Sequence, residues 1–183
     1  KLMAVNEQLN EAYLNENKGY TIALIGNPNV GKSTVFNALT GMHQHTGNWP
    51  GKTVALARGS FLHHQKSHEM IDLPGTYSLL AHSREEEVTR DYICFSPCDV
   101  CVVVCDSTCL ERNLNLVLQT LEITDKVVVC ANLCDEANKK NIIIHKEKLE
   151  KALGVEVVLM SARSAVGLDE LKEAVMRCGM KQG

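Results

Sequence analysis

The chain has 183 residues, of which 45% are apolar and 22% are charged, and its formal net charge is −3. This length fits a single domain with a substantial core, and the acidic balance argues against a general nucleic-acid or anionic-membrane surface. No apolar run approaches the roughly 20 residues that a membrane-spanning helix needs.

The first 19 residues are polar, and they predict a short helix or a disordered leader without a signal-peptide pattern. The chain begins with Lys rather than Met, so we expect its true start to lie upstream. From Tyr20 onwards, short apolar runs alternate with helical patterns of about ten residues. The predicted strands are 21–25, 53–61, 68–72, 99–106, 126–132 and 155–160. The predicted helices are 33–41, 84–93, 114–123, 146–153 and 168–176.

Strands that alternate with helices indicate βαβ units and a mainly parallel sheet. The exception is the pair 53–61 and 68–72, because the connecting HHQKS is too short for a crossover helix. We therefore predict a three-layer α/β fold. Its sheet has six strands, one of them antiparallel, with helices on both faces. The predicted domain covers 20–178, and 179–183 form a tail.

The segment GNPNVGKST follows the first predicted strand and has the spacing G-x-x-x-x-G-K-[ST]. Its glycines let successive backbone amides face phosphate oxygens, Lys32 reaches the β- and γ-phosphates, and the Ser33 hydroxyl is a ligand for Mg²⁺. The predicted phosphate-binding residues are Gly26, Asn27, Pro28, Asn29, Val30, Gly31, Lys32, Ser33 and Thr34.

The segment HEMIDLPG places an acid and a glycine at the end of the third predicted strand. Asp72 in this position can hold Mg²⁺ through water, while the Gly75 amide can meet a γ-phosphate and respond to its loss.

Two further motifs predict the base. NLCD ends the fifth strand, and the Asp135 carboxylate can accept both the N1 and N2 hydrogens of guanine, a donor pair that adenine lacks. Asn132 opens this motif. SAR follows the sixth strand, so the backbone amides of Ser161, Ala162 and Arg163 can face the guanine O6. Four motifs in this order, each at the carboxyl end of a strand, predict a GTPase with the Ras-like phosphate-loop fold.

The loop TGNWPGKT contains the single tryptophan of the chain, Trp49, between glycines and a proline. A GTPase needs a threonine in this region that closes over Mg²⁺ and the γ-phosphate. Thr53 is the candidate and Thr46 the competitor, with 42–52 as a mobile switch loop. Trp49 then either packs differently in each nucleotide state or simply pins the loop.

Together, GNPNVGKST, QHTGNWPGKTV, DLPGTYSL, EEEVTRDYI, DSTCLERNL, NLCDEA and SAR closely resemble the cytosolic G domain of the bacterial FeoB ferrous iron transporter family. The resemblance runs from about Tyr20 to Met176, and NWPG followed by Thr is its most distinctive element. It implies a regulatory domain that binds and slowly hydrolyses GTP, whose switch loops couple nucleotide state to iron(II) uptake.

The resemblance also implies a location at the cytoplasmic face of the bacterial inner membrane. A helical domain and a membrane permease would follow, so the chain looks like an excised soluble N-terminal fragment. A homo-oligomer is possible, and nucleic acid is not an expected partner.

Two positions depart from the common small-GTPase pattern. Leu133 stands where many GTPases have a lysine that packs over the base, and Thr76 follows Gly75 where a glutamine usually orients water. Intrinsic hydrolysis should therefore be slow. The resemblance implies a potassium ion held by the Asn29 side chain, phosphate oxygens and backbone carbonyls of 47–49; the alternative is that Asn29 only braces the loop. The expected catalytic residues are Lys32, Asn29, Thr53 and Gly75, with Mg²⁺ and K⁺ as cofactors.

Cysteine and histidine clusters leave metal-binding alternatives open. Cys98, Cys101, Cys105 and Cys109 are more typical of reduced, packed thiols in a cytosolic protein than of a metal site. His63, His64 and His68 crowd the predicted hairpin loop, which is usually solvated and polar. His43 and His45 flank the switch. Two other function classes also remain open: a soluble ribosome- or tRNA-associated GTPase, and a non-catalytic sensor of GTP and GDP.

Overall fold

The computed structural model describes residues 2–48 and 54–181, which form one sheet with helices around it. Its strands are β1 (Lys18–Gly26), β2 (Gln44–Asn48), β3 (Ala55–His63), β4 (Lys66–Asp72), β5 (Val100–Asp106), β6 (Val127–Asn132) and β7 (Val157–Leu159). Its α-helices are α1 (Leu2–Glu16), α2 (Lys32–Thr40), α3 (Arg84–Phe95), α4 (Leu110–Ile123), α5 (Cys134–Lys139), α6 (Lys146–Leu153) and α7 (Leu168–Met180). None of the helices in these ranges has both the length and the apolar character needed to cross a membrane.

The strand order in the sheet is β2-β3-β4-β1-β5-β6-β7. Parallel pairing joins β4, β1, β5, β6 and β7, whereas β3 runs antiparallel to both β4 and β2. This arrangement confirms the predicted mainly parallel α/β fold with one strand of opposite direction. Strand β1 lies between β4 and β5, so the loop that follows it is at the centre of one sheet edge.

The predicted number of six strands was wrong, because the structure adds β2 within the stretch 42–52 that was predicted to be a loop. The five residues QHTGN pair antiparallel with residues 55–59 of β3 and lie almost entirely on the surface, at the edge of the sheet. A strand without a buried face has no apolar alternation, so hydrophobic periodicity does not reveal it.

Both faces of the sheet are buried, as the alternation of side chains along β1 shows. Ile22 and Leu24 belong to a core cluster that α2 and α7 cover, whereas Ala23 and Ile25 belong to the cluster under α3 and α4. All four side chains have no exposed surface. Burial on both faces explains why the parallel strands are continuous apolar runs rather than alternating ones.

The β3–β4 hairpin is tighter than predicted. The strands continue to His63 and from Lys66, so the turn consists of His64 and Gln65 alone, with φ values of 48° and 63°. His68 is buried in β4: the Tyr20 amide donates to its Nδ1 at 2.9 Å, and its Nε2 donates to the His63 carbonyl at 3.1 Å. The prediction of a solvated loop was therefore wrong for His68, which is a core residue.

The cysteines are free thiols, and those within β5 are core residues. Cys101 and Cys105 are buried on the face of the sheet that α3 and α4 cover. The Sγ atoms of Cys98 and Cys101 are 4.0 Å apart. The buried Cys101 and Cys105 pack as small apolar side chains.

Candidate functional site

The predicted phosphate loop connects the end of β1 to the start of α2. Asn29 and Gly31 both adopt left-handed backbone conformations, with φ values of 65° and 79°, and Lys32 begins the helix. This curled loop at a helix N-terminus presents backbone amides and the positive end of the helix dipole, which together favour a phosphate group.

A cleft of about 460 Å³ opens directly onto this loop. It is lined by Asn27, Pro28, Asn29, Gly31, Lys32, Ser33 and Gly75. A larger cavity of about 830 Å³ lies beside α4 and α6, but none of the four motifs contributes a residue to its lining. The smaller cleft is the candidate site because it joins the phosphate loop to the DLPG motif.

The lysine of the phosphate loop meets the acid at the end of β4. The Lys32 ammonium group forms an ion pair with the Asp72 carboxylate and donates to the Leu73 carbonyl at 2.7 Å. Both side chains of the pair are largely buried, with 12% and 17% of their surface exposed. The Asp72 carboxylate and the Ser33 hydroxyl are hard oxygen donors of the kind Mg²⁺ prefers, so the residues present fit the predicted ion.

The DLPG loop packs against the phosphate loop. A Cβ atom on Gly75 would lie 3.3 Å from the Pro28 Cα, and the Thr76 amide donates to the Gly26 carbonyl at 3.1 Å. The Thr76 side chain is buried, and its hydroxyl donates to the Ser78 carbonyl at 2.8 Å. Thr76 therefore stabilises its own loop, while Gly75 stays beside the cleft.

Asn132 joins three of the motifs. Its Nδ2 donates to the Val30 carbonyl at 3.1 Å, and its Oδ1 accepts from the Ala162 amide at 3.0 Å. The side chain is almost completely buried. Both ends of the amide are thus engaged in holding the phosphate loop and the SAR segment against NLCD.

Asp135 lies in the first turn of α5, two residues after the left-handed Leu133 (φ 63°). Its Oδ2 is 3.8 Å from the Arg163 Nη2, whereas its Oδ1 is buried and has no hydrogen-bond partner among the described residues. Partial desolvation opposes ionisation, but the nearby Ser161 hydroxyl, adjacent backbone amides and Arg163 outweigh it. The pKa of the Asp135 carboxyl is therefore below its ordinary value.

Backbone amides of the SAR segment form hydrogen bonds within the protein that its sequence does not reveal. The Ser161 amide donates to the Val166 carbonyl at 3.1 Å, and the Ala162 amide is the donor to Asn132. Two of the three amides predicted to face guanine O6 thus already have partners within the protein. The Arg163 guanidinium donates to the Glu136 carboxylate at 3.2 Å, a contact that sequence reasoning missed although Glu136 directly follows Asp135.

The predicted switch is only partly described. Thr53 and Trp49 lie outside the described residues, so the structure says nothing about their predicted roles. The competitor Thr46 lies in β2 with an exposed side chain. Thr34 and Asn29 are also exposed at the surface of the phosphate loop region.

Comparison with known proteins identifies the family. A family profile described as "Ferrous iron transport protein B" matches residues 20–175. The Fe(2+) transporter FeoB of Helicobacter pylori is 46% identical over 147 residues, which are 80% of this chain and 23% of that protein. The chain thus spans less than a quarter of this curated relative.

Solved structures agree with this match. The G domain of the T. maritima FeoB iron transporter is 42% identical, covers 88% of this chain and 99% of its own, and superposes with a TM-score of 0.82. The cytosolic domain of the same transporter in its GMPPNP form is 41% identical, with coverages of 90% and 65% and a TM-score of 0.86. By sequence over nearly its whole length and by fold, the chain belongs to the ferrous iron transport protein B family.

Proposed function

We propose that this chain binds GTP, hydrolyses it slowly to GDP, and serves as the regulatory G domain of a ferrous iron transporter. Its relatives are named as Fe(2+) transporters, and the T. maritima domain has been solved in a GMPPNP form. In this proposal the domain lies at the cytoplasmic face of the cell membrane, next to helical and permease domains. Its switch loops couple the nucleotide state to iron(II) uptake.

The observation that carries the proposal is the Oδ1 atom of Asp135: this atom is buried and accepts no hydrogen bond of normal geometry from the described residues, although the side chain as a whole is 31% exposed. Buried acceptors without a donor are rare in folded proteins and call for an explanation. The lowered pKa of Asp135 keeps this carboxylate ionised at neutral pH. An ionised acceptor beside the phosphate loop suits the N1 and N2 hydrogens of guanine, whereas adenine offers an acceptor at N1.

The phosphate end of the cleft is suited to a triphosphate. The Lys32 ammonium and the backbone amides at the start of α2 supply positive charge at the position where the β- and γ-phosphates would bind. Mg²⁺, when bound, would neutralise phosphate charge, with Ser33 and Asp72 as the residues that would hold it. In this proposal the amide of Gly75, which lies beside Pro28, contacts the γ-phosphate.

Slow turnover is expected because the Thr76 hydroxyl is used in a hydrogen bond within its own loop. This hydroxyl is committed to the Ser78 carbonyl, so it is poorly placed to orient an attacking water. A GTPase without its activating arginine turns over on the order of 10⁻³ s⁻¹ or below. The same observation favours a non-catalytic nucleotide sensor as the second candidate function, and single-turnover hydrolysis of bound GTP separates the two.

The base assignment is tested with the variant Asp135→Asn. The side-chain NH₂ of the new asparagine can donate to the O2 carbonyl of xanthine. The variant should therefore lose GTP affinity by about a hundredfold or more and gain affinity for xanthosine triphosphate. Calorimetric titration of both nucleotides measures the exchange. Glu136→Gln, the neighbouring carboxylate, is the matched control and should keep its preference for GTP. Unchanged GTP affinity in Asp135→Asn would remove the basis of the proposal.

The switch assignment is tested through Trp49, the single tryptophan. Its emission should differ between the GDP complex and a complex with a non-hydrolysable GTP analogue. Thr53→Ala should abolish that difference and slow hydrolysis but spare GDP binding, because GDP lacks the γ-phosphate. Thr46→Ala is the control and should behave like the wild type. If Thr46→Ala alone abolishes the difference, Thr46 is the switch threonine.

A further inference from the structure

A second group of potential ligands lies apart from the nucleotide cleft, where the β3–β4 hairpin meets α7. The Nε2 atoms of His63 and His64 are each 2.8 Å from the Oε1 of Glu173. All three atoms lie within 4.8 Å of one another. Two imidazole nitrogens and one carboxylate oxygen thus converge on a single point.

The hairpin positions both imidazoles. His63 ends β3 opposite Lys66, and His64 occupies the turn in a left-handed conformation, which histidine adopts more readily than most residues. The His63 carbonyl accepts a hydrogen bond from the buried His68, which anchors the backbone beneath the site. The rings of His63 and His64 lie 4.1 Å apart. The side chains therefore converge because of the turn geometry and because Glu173 lies opposite them on α7.

The Glu173 side chain is 43% exposed and faces both imidazoles. The neighbouring cations on α7 are engaged elsewhere, since Lys172 lies over the Phe61 ring at 5.8 Å and Arg177 pairs with Glu156 at 2.8 Å.

The spacing of the three donors suits a metal ion. Ligands at right angles around an ion with bonds of about 2.1 Å are about 3.0 Å apart, close to the two nitrogen–oxygen distances of 2.8 Å. His64 is 63% exposed, so its ring can turn inward, and solvent can reach the site. Two imidazoles and a carboxylate on one face of an ion leave its other positions open to water.

We propose that His63, His64 and Glu173 form a binding site for one divalent first-row transition-metal ion of the borderline class, from Fe(II) to Zn(II). Imidazole ligands select this class over Mg²⁺ and Ca²⁺, which prefer oxygen donors. The site shares no residue with the nucleotide cleft. The proposal therefore stands or fails independently of GTP binding.

The test is a titration of the chain with Co(II), followed by calorimetry and by visible absorption. Excess Mg²⁺ occupies sites with oxygen donors, and prior alkylation blocks accessible thiols. The wild type should bind one equivalent, and His63→Ala, His64→Ala and Glu173→Gln should each weaken binding about tenfold or more. His82→Ala and Glu122→Gln remove an exposed histidine and an exposed glutamate on α4, outside the proposed site, and both should bind like the wild type.

Three results would overturn the proposal: no stoichiometric binding to the wild type, wild-type affinity in all three ligand variants, or a thiolate-to-cobalt charge-transfer band that accounts for all the bound metal. Circular dichroism monitors the fold of each variant. Because the His64 side chain is mostly exposed, His64→Ala keeps the test decisive even if another variant is destabilised.

Discussion

Gly31 lies so close to Asn132 that a methyl group on Gly31 would overlap the side-chain amide of Asn132. The same amide holds the Val30 carbonyl and the Ala162 amide. The phosphate loop is thus pressed against the strand end that carries the base motif. The separation between the phosphate loop and the base motif is therefore set by direct contacts within the protein.

We expect Gly31→Ala to be much more destabilising than Gly154→Ala. Both glycines have left-handed φ values, 79° and 73°, but a Cβ on Gly154 would meet no atom within 4 Å. The control should lose about 1–2 kcal/mol of unfolding free energy from backbone strain alone. Gly31→Ala should lose a further 1–3 kcal/mol or so from overpacking. Urea denaturation measures both, and equal losses would show that the Asn132 contact is easily relieved.

Asn132→Ala should destabilise the domain and weaken nucleotide binding together. Truncation leaves the Val30 carbonyl and the Ala162 amide without their partner, at a cost of about 1–3 kcal/mol for each group that stays buried. Asn138→Ala, an exposed site on α5, should change stability by less than about 0.5 kcal/mol. Thermal unfolding and GDP titration give the two readouts. A stable variant with normal GDP affinity would contradict the bridging role of Asn132.

Potassium should accelerate hydrolysis through Asn29, a role implied by the family resemblance. The residue is exposed on the phosphate loop and left-handed (φ 65°), so Asn29→Gly removes the amide while keeping a backbone that glycine adopts freely. GTP turnover in potassium should exceed that in sodium by well over tenfold, or more than about 1.4 kcal/mol of barrier. The variant should hydrolyse GTP at the same rate in potassium as in sodium. Equal wild-type rates in potassium and in sodium at matched ionic strength would exclude a role for potassium in hydrolysis.

Buried thiols should resist alkylation in the folded chain. Burial raises the pKa of the Cys105 thiol to about 12, so almost none of it is thiolate at neutral pH, and burial also raises the pKa of Cys130. Cys94 is exposed and should react quickly. Mass spectrometry after a short iodoacetamide pulse measures each site, with urea-unfolded protein as the control in which all eight cysteines react. Rapid native labelling of Cys105 would contradict its place in the core.

Hydrophobic patterning and local spacing were enough to predict the central part of the fold. The runs that form β1, β5 and β6 are continuously apolar because helices cover both faces of the sheet. Such a run can be recognised from the amino-acid sequence alone. The phosphate loop was equally predictable, since its conformation depends on neighbouring residues such as Gly26 and Gly31.

Other features depend on contacts between distant residues, which only the tertiary structure decides. Strand β2 exists because its backbone pairs with β3, and an exposed edge strand leaves no burial pattern in its own sequence. Asn132 could be assigned to the base motif from its sequence, but its contacts with Val30 and Ala162 arise only because strand order brings these residues to the two ends of its amide. Glu173 meets His63 because α7 packs beside the hairpin, and helix periodicity marks which face of α7 is apolar but not which side chains it will meet.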